Sequence, residues 1–222
     1  MLTKSTIDFL NDLKENNNRE WFTENRKRYE AGKAEFEKTV EQILHGIAQF
    51  QENLLNTKTK DCIFRINRDV RFSKDKSPYK QWFAAAFGAG GRKSGRMDFY
   101  LHIQPNETFL GGGMWNPTPA QLSKLRQEID YNAAELIRII EDENFKKVFP
   151  VVWGESLQNA PKGYAADHPN VDLLKRKQLF FMHKYTDAEV LAPNFAQIVV
   201  ADAQVLKPYL DFLNYIFFED EE

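Results

Sequence analysis

Basic side chains are concentrated in one stretch of the chain, residues 65–96. This basic segment contains nine Lys or Arg residues and two Asp residues, which gives it a net charge of +7. Because the whole chain carries −2, the remainder carries −9. Guanidinium groups bind phosphate or carboxylate through paired hydrogen bonds, and ammonium groups add compact point charges. The basic segment therefore predicts a site for a small anionic ligand that bears phosphate or carboxylate.

The residues predicted to bind this anion lie in the first half of the basic segment. An alternation of apolar and polar residues over 63–72 is typical of a half-buried strand, or of two strands with a bend, and it places Arg65 and Arg71 on the polar face. Arg68 breaks the alternation, which predicts a bulge near residues 67–69. The predicted ligand-binding set is Arg65, Arg68, Arg71, Lys76, Tyr79 and Lys80. The alternative is that these side chains form structural ion pairs with acidic residues.

His102 is the candidate catalytic residue. It alternates with apolar residues in a second strand pattern, and its polar face also carries Asp98, Tyr100 and Gln104. If this face meets Arg65 and Arg71, the imidazole could act as general acid or base on an anionic substrate. The chain would then be a hydrolase or transferase. The alternative is a histidine that is hydrogen-bonded to a neighbour on a solvated sheet face.

Neither a metal nor a cofactor is indicated by the sequence. The other histidines, His45, His168 and His183, show no metal-ligand spacing, and a single cysteine, Cys62, excludes a cysteine-rich zinc site and an internal disulfide. Residues 88–94 (GAGGRKS) are rich in glycine, but an arginine stands where a phosphate loop needs its second glycine, and a strand pattern follows. We therefore expect no metal, no cofactor and no nucleotide loop.

A long amphipathic helix is predicted to follow a short first helix. The first helix begins with a capping box at residues 5–8 and ends at the Asn run 16–18, and the second begins near Asn18. Apolar residues recur every seven positions along the second helix, at Phe22, Tyr29, Phe36, Ile43 and Phe50. This stripe is expected to pack on the chain's own sheet. The alternative is a protein-interaction module that forms a homo-oligomer through the helix, as in a coiled coil.

The remaining patterns predict an α+β fold with a mainly antiparallel sheet covered by helices. Long helices precede a run of strands, helices follow them, and parallel βαβ alternation is missing from the pattern. Further strands are predicted at residues 82–87, 97–104, 108–115 and 178–184, and further helices at 119–129, 133–141, 188–206 and 208–218. With no linker or repeat, we expect a single α+β domain over residues 1–222.

Compartment and partners follow from charge and hydropathy. The N-terminal residues lack the apolar core of a signal peptide, and no stretch approaches the roughly 20 apolar residues that span a bilayer. The expected location is the cytoplasm, with no membrane partner. The residues outside the basic segment carry a net charge of −9, which repels polyanions. We therefore expect nucleic acid to be bound weakly if at all.

Three segments carry a resemblance to a known family. Residues 17–29 (NNREWFTENRKRY), 64–80 (FRINRDVRFSKDKSPYK) and 99–115 (FYLHIQPNETFLGGGMW) resemble signature segments of the family called domain of unknown function 2461. The similarity runs from about Ile7 to Ile216. The resemblance implies a stand-alone domain with the fold and compartment given above, and it implies no particular reaction, cofactor or catalytic residue.

Overall fold

The computed structural model describes residues 1–218, which form helices and one antiparallel sheet. The strands are β1 (Phe83–Phe87), β2 (Phe99–Ile103), β3 (Thr108–Met114), β4 (Val151–Trp153) and β5 (Leu179–Tyr185), in the spatial order β1-β2-β3-β5-β4. The helices are α1 (Lys4–Glu15), α2 (Arg19–Glu24), α3 (Arg26–Ala48), α4 (Thr59–Cys62), α5 (Pro119–Ile140), α6 (Glu143–Val148), α7 (Val171–Leu174), α8 (Asp187–Val190) and α9 (Phe195–Phe218). The predicted α+β class is confirmed.

Contacts within the chain divide it into two compact units. Unit 1 comprises Met1–Gly95, Tyr100–Leu110 and Lys184–Ala201. Unit 2 comprises Arg96–Phe99, Gly111–His183 and the residues from Asp202 onward. The expectation of a single domain stays a prediction. Among the helices of residues 1–218, none is both long enough and apolar enough to cross a membrane.

The start of α1 differs from its prediction. The helix begins at Lys4, so the predicted capping box at residues 5–8 lies inside it. Glu35 of α3 supplies the missing acceptors, because its carboxylate receives hydrogen bonds from the Thr3 backbone N–H at 2.9 Å and from the Thr6 hydroxyl at 2.6 Å. The acceptor for the donors at the start of α1 therefore comes from a residue distant in the sequence, and the local sequence pattern could not predict it.

The predicted long helix is divided into α2 and α3 at Asn25. The Asn25 side chain donates to the carbonyl of Trp21 at 2.9 Å, which competes with the helical pattern at this point. Phe22, Phe36 and Ile43 of the apolar stripe are buried, and Tyr29 and Phe50 are half-buried. Phe36 stacks on Phe83 of β1 with 5.3 Å between ring centroids. Phe36 and Ile43 have no exposed surface, and neither do Val40 and Ile47, which lie on α3 between the stripe residues. The stripe thus packs against the sheet of its own chain.

The predicted strand at residues 63–72 is wrong. This segment makes only isolated bridges, Ile63 with Ala85 and Asn67 with Tyr79. The two bridges are separated by four residues in the segment from Ile63 to Asn67 and by six residues in the segment from Tyr79 to Ala85. The extra residues therefore lie after Tyr79, and the predicted bulge at 67–69 is wrong. Pairing ends near Pro78, since proline has no N–H to donate to a ladder.

Two later elements also differ from expectation. The predicted helix break near residue 130 appears as a kink at Asn132 of α5, where φ is −149° and ψ is 48°. Pro208, predicted to begin a new helix, lies inside α9. Its neighbours Leu206 and Tyr209 are fully buried, so packing on both sides maintains the helix although proline removes one hydrogen bond. Residues 151–153, for which no strand was predicted, form β4, which pairs with β5.

The contact between α3 and the first half of α9 depends on Gly46. A Cβ atom at this position would lie 2.4 Å from Cγ2 of Val200, which is closer than real Cβ atoms approach other atoms. We predict that Gly46→Ala lowers the free energy of unfolding by about 1 to 2 kcal/mol, because overpacking outweighs the better helix propensity of alanine. Urea denaturation measures the change.

A double-mutant cycle tests the cause. Val200→Ala removes the methyl groups that would clash with the new Cβ. Gly46→Ala should therefore lower the free energy of unfolding by less in the Val200→Ala background than in the wild type, with a coupling energy of at least about 0.5 kcal/mol. A Gly46→Ala protein that is more stable than the wild type would contradict the close contact.

Candidate functional site

A cavity of about 430 Å³ opens in unit 1 beside the start of the basic segment. Three predicted ligand-binding residues line it, Arg68, Tyr79 and Lys80. The other residues that line it are Asp69, Asp75, Gln81, Trp82 and Gln104. Arg65, Arg71 and Lys76 are not among its lining residues, so the predicted set is only partly brought together.

Tyr79 is held in place by the helical N-terminal region. The side-chain amide of Asn17 accepts from the Tyr79 N–H at 3.1 Å and donates to the Tyr79 carbonyl at 2.9 Å. The Tyr79 ring stacks on Phe22 with 3.9 Å between ring centroids and 15° between planes. These contacts fix the backbone next to Lys80, and they leave the Tyr79 hydroxyl without a hydrogen bond to any residue of 1–218.

Arg68 is neutralised by an acidic partner. Its guanidinium forms an ion pair with Asp75 and donates to the carbonyl of Ser77 at 3.1 Å. Hydrogen bonds from the hydroxyl and N–H of Ser77, followed by the bond from Arg68, lower the pKa of Asp75 to about 2. The carboxylate therefore stays ionised at neutral and mildly acidic pH. Arg68 belongs to a structural pair that shapes the cavity wall.

Arg71 and Lys76 lie on the exposed turn that follows. Arg71 donates twice to the carboxylate of Asp69, at 2.9 and 2.6 Å, and 76% of its side chain is exposed. This pairing lowers the pKa of Asp69 and raises that of Arg71. The ammonium group of Lys76 donates to the carbonyl of Val70 at 3.0 Å. Both basic residues thus support the turn itself.

Lys80 has a different environment. Its ammonium group donates to the carbonyl of Arg65 at 2.7 Å and lies 4.9 Å from the ring centroid of Trp82 and 5.6 Å from that of Phe64. Burial lowers the pKa of Lys80, and the positive charges of Arg65 and Arg92 lower it further. An anion next to Lys80 would be attracted by the lysine and by the neighbouring cations at once, so this position favours an anion.

Arg65, Lys80 and Arg92 form what we call the cationic cluster. Within residues 1–218, none of the three has a carboxylate at ion-pair distance. The Arg92 guanidinium donates only to backbone carbonyls, at 2.7 Å for Asp61 and 3.4 Å for Lys60. The three positive charges of the cluster therefore have no ion-pair partner among residues 1–218, although Arg65 acts at longer range on the carboxylate of Asp69 and helps to lower its pKa.

Arg92 was missing from the residues predicted to bind the anion. Its backbone N–H bonds to the Asp61 carbonyl at 3.0 Å, and the preceding Gly91 has φ of +87°. A Cβ on Gly91 would lie 2.4 Å from that carbonyl oxygen, so only glycine permits the approach. The sequence shows the basic segment and the glycines, but it does not show that this loop folds back onto Asp61.

His102 lies next to the cavity but does not line it. Its Nε2–H donates to Oε1 of Gln104 at 3.1 Å, and the Gln104 amide in turn donates to Glu107 at 2.6 Å. Because Oε1 can only accept, the proton of the imidazole resides on Nε2, and Nδ1 accepts from the Tyr100 hydroxyl at 3.3 Å. Both ring nitrogens are thus engaged.

The same histidine is held between aromatic rings. It stacks on Phe109 with 5.0 Å between centroids and contacts Trp82 at 4.9 Å. Burial lowers the pKa of His102, although Gln104 and Glu107 oppose the shift, and burial raises the pKa of Tyr100 to about 12. Both groups are therefore neutral near pH 7. The acid or base function of His102 stays a prediction.

No group of three or more His, Cys, Asp or Glu side chains in residues 1–218 is arranged to hold a metal ion. The chemistry that the site offers is recognition by positive charge, by a phenolic hydroxyl and by aromatic faces.

Comparison with known protein families shows to which family the chain belongs. A family profile described as conserved hypothetical protein (DUF2461) matches residues 5–212. The chain belongs to the DUF2461 family. All three segments that resembled this family lie inside the matched range, so the resemblance is confirmed. No curated protein and no solved structure gives a match.

The Asn17 contact provides a test of how this DUF2461 chain positions its cavity. Asn17→Ala removes both hydrogen bonds to the Tyr79 backbone, and we expect the free energy of unfolding to fall by about 1 to 3 kcal/mol. Asn16→Ala is the matched control, because the exposed Asn16 side chain donates to the Asp12 carbonyl of the adjacent helix α1 and does not contact Tyr79, and its cost should stay within about 0.5 kcal/mol. Chemical denaturation of both variants measures the difference, and equal costs would show that the contact does not anchor Tyr79.

Proposed function

We propose that the cationic cluster binds a small ligand through its phosphate or carboxylate group. The observation that carries this proposal is the environment of Lys80, which lies among Arg65 and Arg92 with no carboxylate at ion-pair distance in residues 1–218. Like charges held close together repel one another, and a bound anion would relieve that repulsion. A charged group whose pKa is shifted by burial and by neighbouring charges beside a cavity is a candidate for a functional site.

Each group in the proposed site has a distinct part. Lys80 supplies a compact charge at the cavity, and the guanidinium groups of Arg65 and Arg92 supply paired donors. Tyr79 and Trp82 line the same cavity and would contact the rest of the ligand. In this proposal Arg68, Arg71 and Lys76 build the site and do not contact the anion.

The alternatives raised by the sequence have less support. The apolar stripe of α3 is buried against β1 inside unit 1, which leaves little of it for a coiled-coil dimer. The neutral His102, with both ring nitrogens bonded, would have to release a partner before acting in a hydrolase or transferase. Binding without chemistry is therefore the function that we favour.

The proposal predicts stabilisation by phosphate. A ligand that binds only the folded state raises the melting temperature, so sodium phosphate should stabilise the protein relative to sodium chloride at equal ionic strength. Arg65→Ala should remove most of this increase, because Arg65 is exposed and its guanidinium makes no hydrogen bond within residues 1–218. Lys80→Ala should remove it as well. Differential scanning calorimetry in both salts measures the effect.

Arg71→Ala is the matched control for charge. It removes one positive charge from the same segment, but Arg71 is paired with Asp69, whereas Arg65 has no ion-pair partner in residues 1–218. Its phosphate response should equal that of the wild type. A wild-type protein without any response, or a full response in both Arg65→Ala and Lys80→Ala, would refute the proposed site.

A further inference from the structure

A second cavity, of about 390 Å³, lies within unit 2 and shares no residue with the cationic cluster. We call it the unit 2 groove. Phe149 and Phe181, which are 2% and 4% exposed, line it, and Val152 of β4 stands opposite Phe181 of β5 in the strand register. Half-buried Ile140 and Leu173 complete its apolar surface. Cavities that bind small molecules are commonly of this size and mostly apolar.

Three charged residues also line the unit 2 groove, and one of them has no partner. Lys146 and Glu141 form an ion pair at 2.8 Å and cancel each other. Arg176 is half-buried, and its guanidinium makes no hydrogen bond or ion pair with residues 1–218. Its backbone is anchored by a bridge to Ser156. The groove therefore presents one net positive charge from a fixed position.

We infer that the unit 2 groove binds a small amphipathic carboxylate, in which an apolar chain or ring ends in a single carboxylate group. The apolar residues would bury the chain, and Arg176 would bind the carboxylate through two parallel hydrogen bonds. One net charge matches a monoanion better than the dianion of a phosphate ester. A guanidinium beside buried aromatic rings also binds an anion more strongly than one in bulk water, because the local dielectric constant is lower. This inference is independent of the function proposed for the cationic cluster.

Decanoate below its micelle concentration is a suitable probe, with decanol as its uncharged counterpart. In a ¹H–¹⁵N NMR titration of the full chain, decanoate should shift the amide signals of Val152 and Phe181 saturably. Decanol should bind about tenfold more weakly or worse, since it cannot pair with the guanidinium. Arg176→Ala should lower the affinity for decanoate by about tenfold or more and leave the affinity for decanol unchanged.

Lys147→Ala is the control, because Lys147 is an exposed lysine of α6 that does not line the groove, and it should bind decanoate like the wild type. Should Arg176→Ala fail to fold, Arg176→Lys decides. If Arg176→Lys lowers the affinity for decanoate several-fold and does not change the affinity for decanol, the role of Arg176 in binding the carboxylate is supported. An unchanged affinity for decanoate overturns that role. Equal affinities for decanoate and decanol, or the lack of saturable shifts at Val152 and Phe181, would also overturn the inference.

Discussion

The proposed anion site depends on the hydrogen bonds between the Asn17 side chain and the backbone of Tyr79. A carboxamide can satisfy the N–H and the C=O of one residue at once, as a neighbouring strand would. Here it does so across 62 residues of sequence, and the stacking of Phe22 on the Tyr79 ring reinforces it. The residue after Tyr79 is Lys80. Without this anchor, the irregular segment would be held by its isolated bridges and by the ion pairs of Arg68 and Arg71.

The distribution of acids then decides which cations are left for a ligand. The two aspartates of the basic segment are both used by nearby arginines, Asp69 by Arg71 and Asp75 by Arg68. These short-range pairs stabilise the turn, and being exposed they contribute modestly to folding. Arg65, Lys80 and Arg92, which the tertiary structure brings together, have no carboxylate at ion-pair distance in residues 1–218. Net charge along the sequence therefore shows where basic residues are concentrated, but it does not show which arginines are paired with aspartates.

This difference shows what the sequence could and could not predict. The α+β class, the buried stripe of α3, the alternation of β2 and the kink of α5 follow from periodicity, which is a local property. The Glu35 carboxylate at the start of α1, the isolated bridges of residues 63–68 and the approach of Arg92 to Asp61 each depend on residues distant in sequence. The strand prediction for 63–72 failed for the same reason, because alternation reports burial of side chains and does not report a hydrogen-bonded partner.

The neutrality of His102 is consistent with a site that relies on cations for binding. Trp82 contacts Lys80 through its ring and contacts the imidazole of His102 as well. A protonated imidazole there would add a positive charge next to the cationic cluster and would further oppose the charging of Lys80, whose pKa is already lowered. Burial of His102 keeps it uncharged, and its Nε2–H is directed to Gln104. The histidine can then orient Trp82 and Gln104, which both line the cavity, without weakening the charge that would attract the ligand.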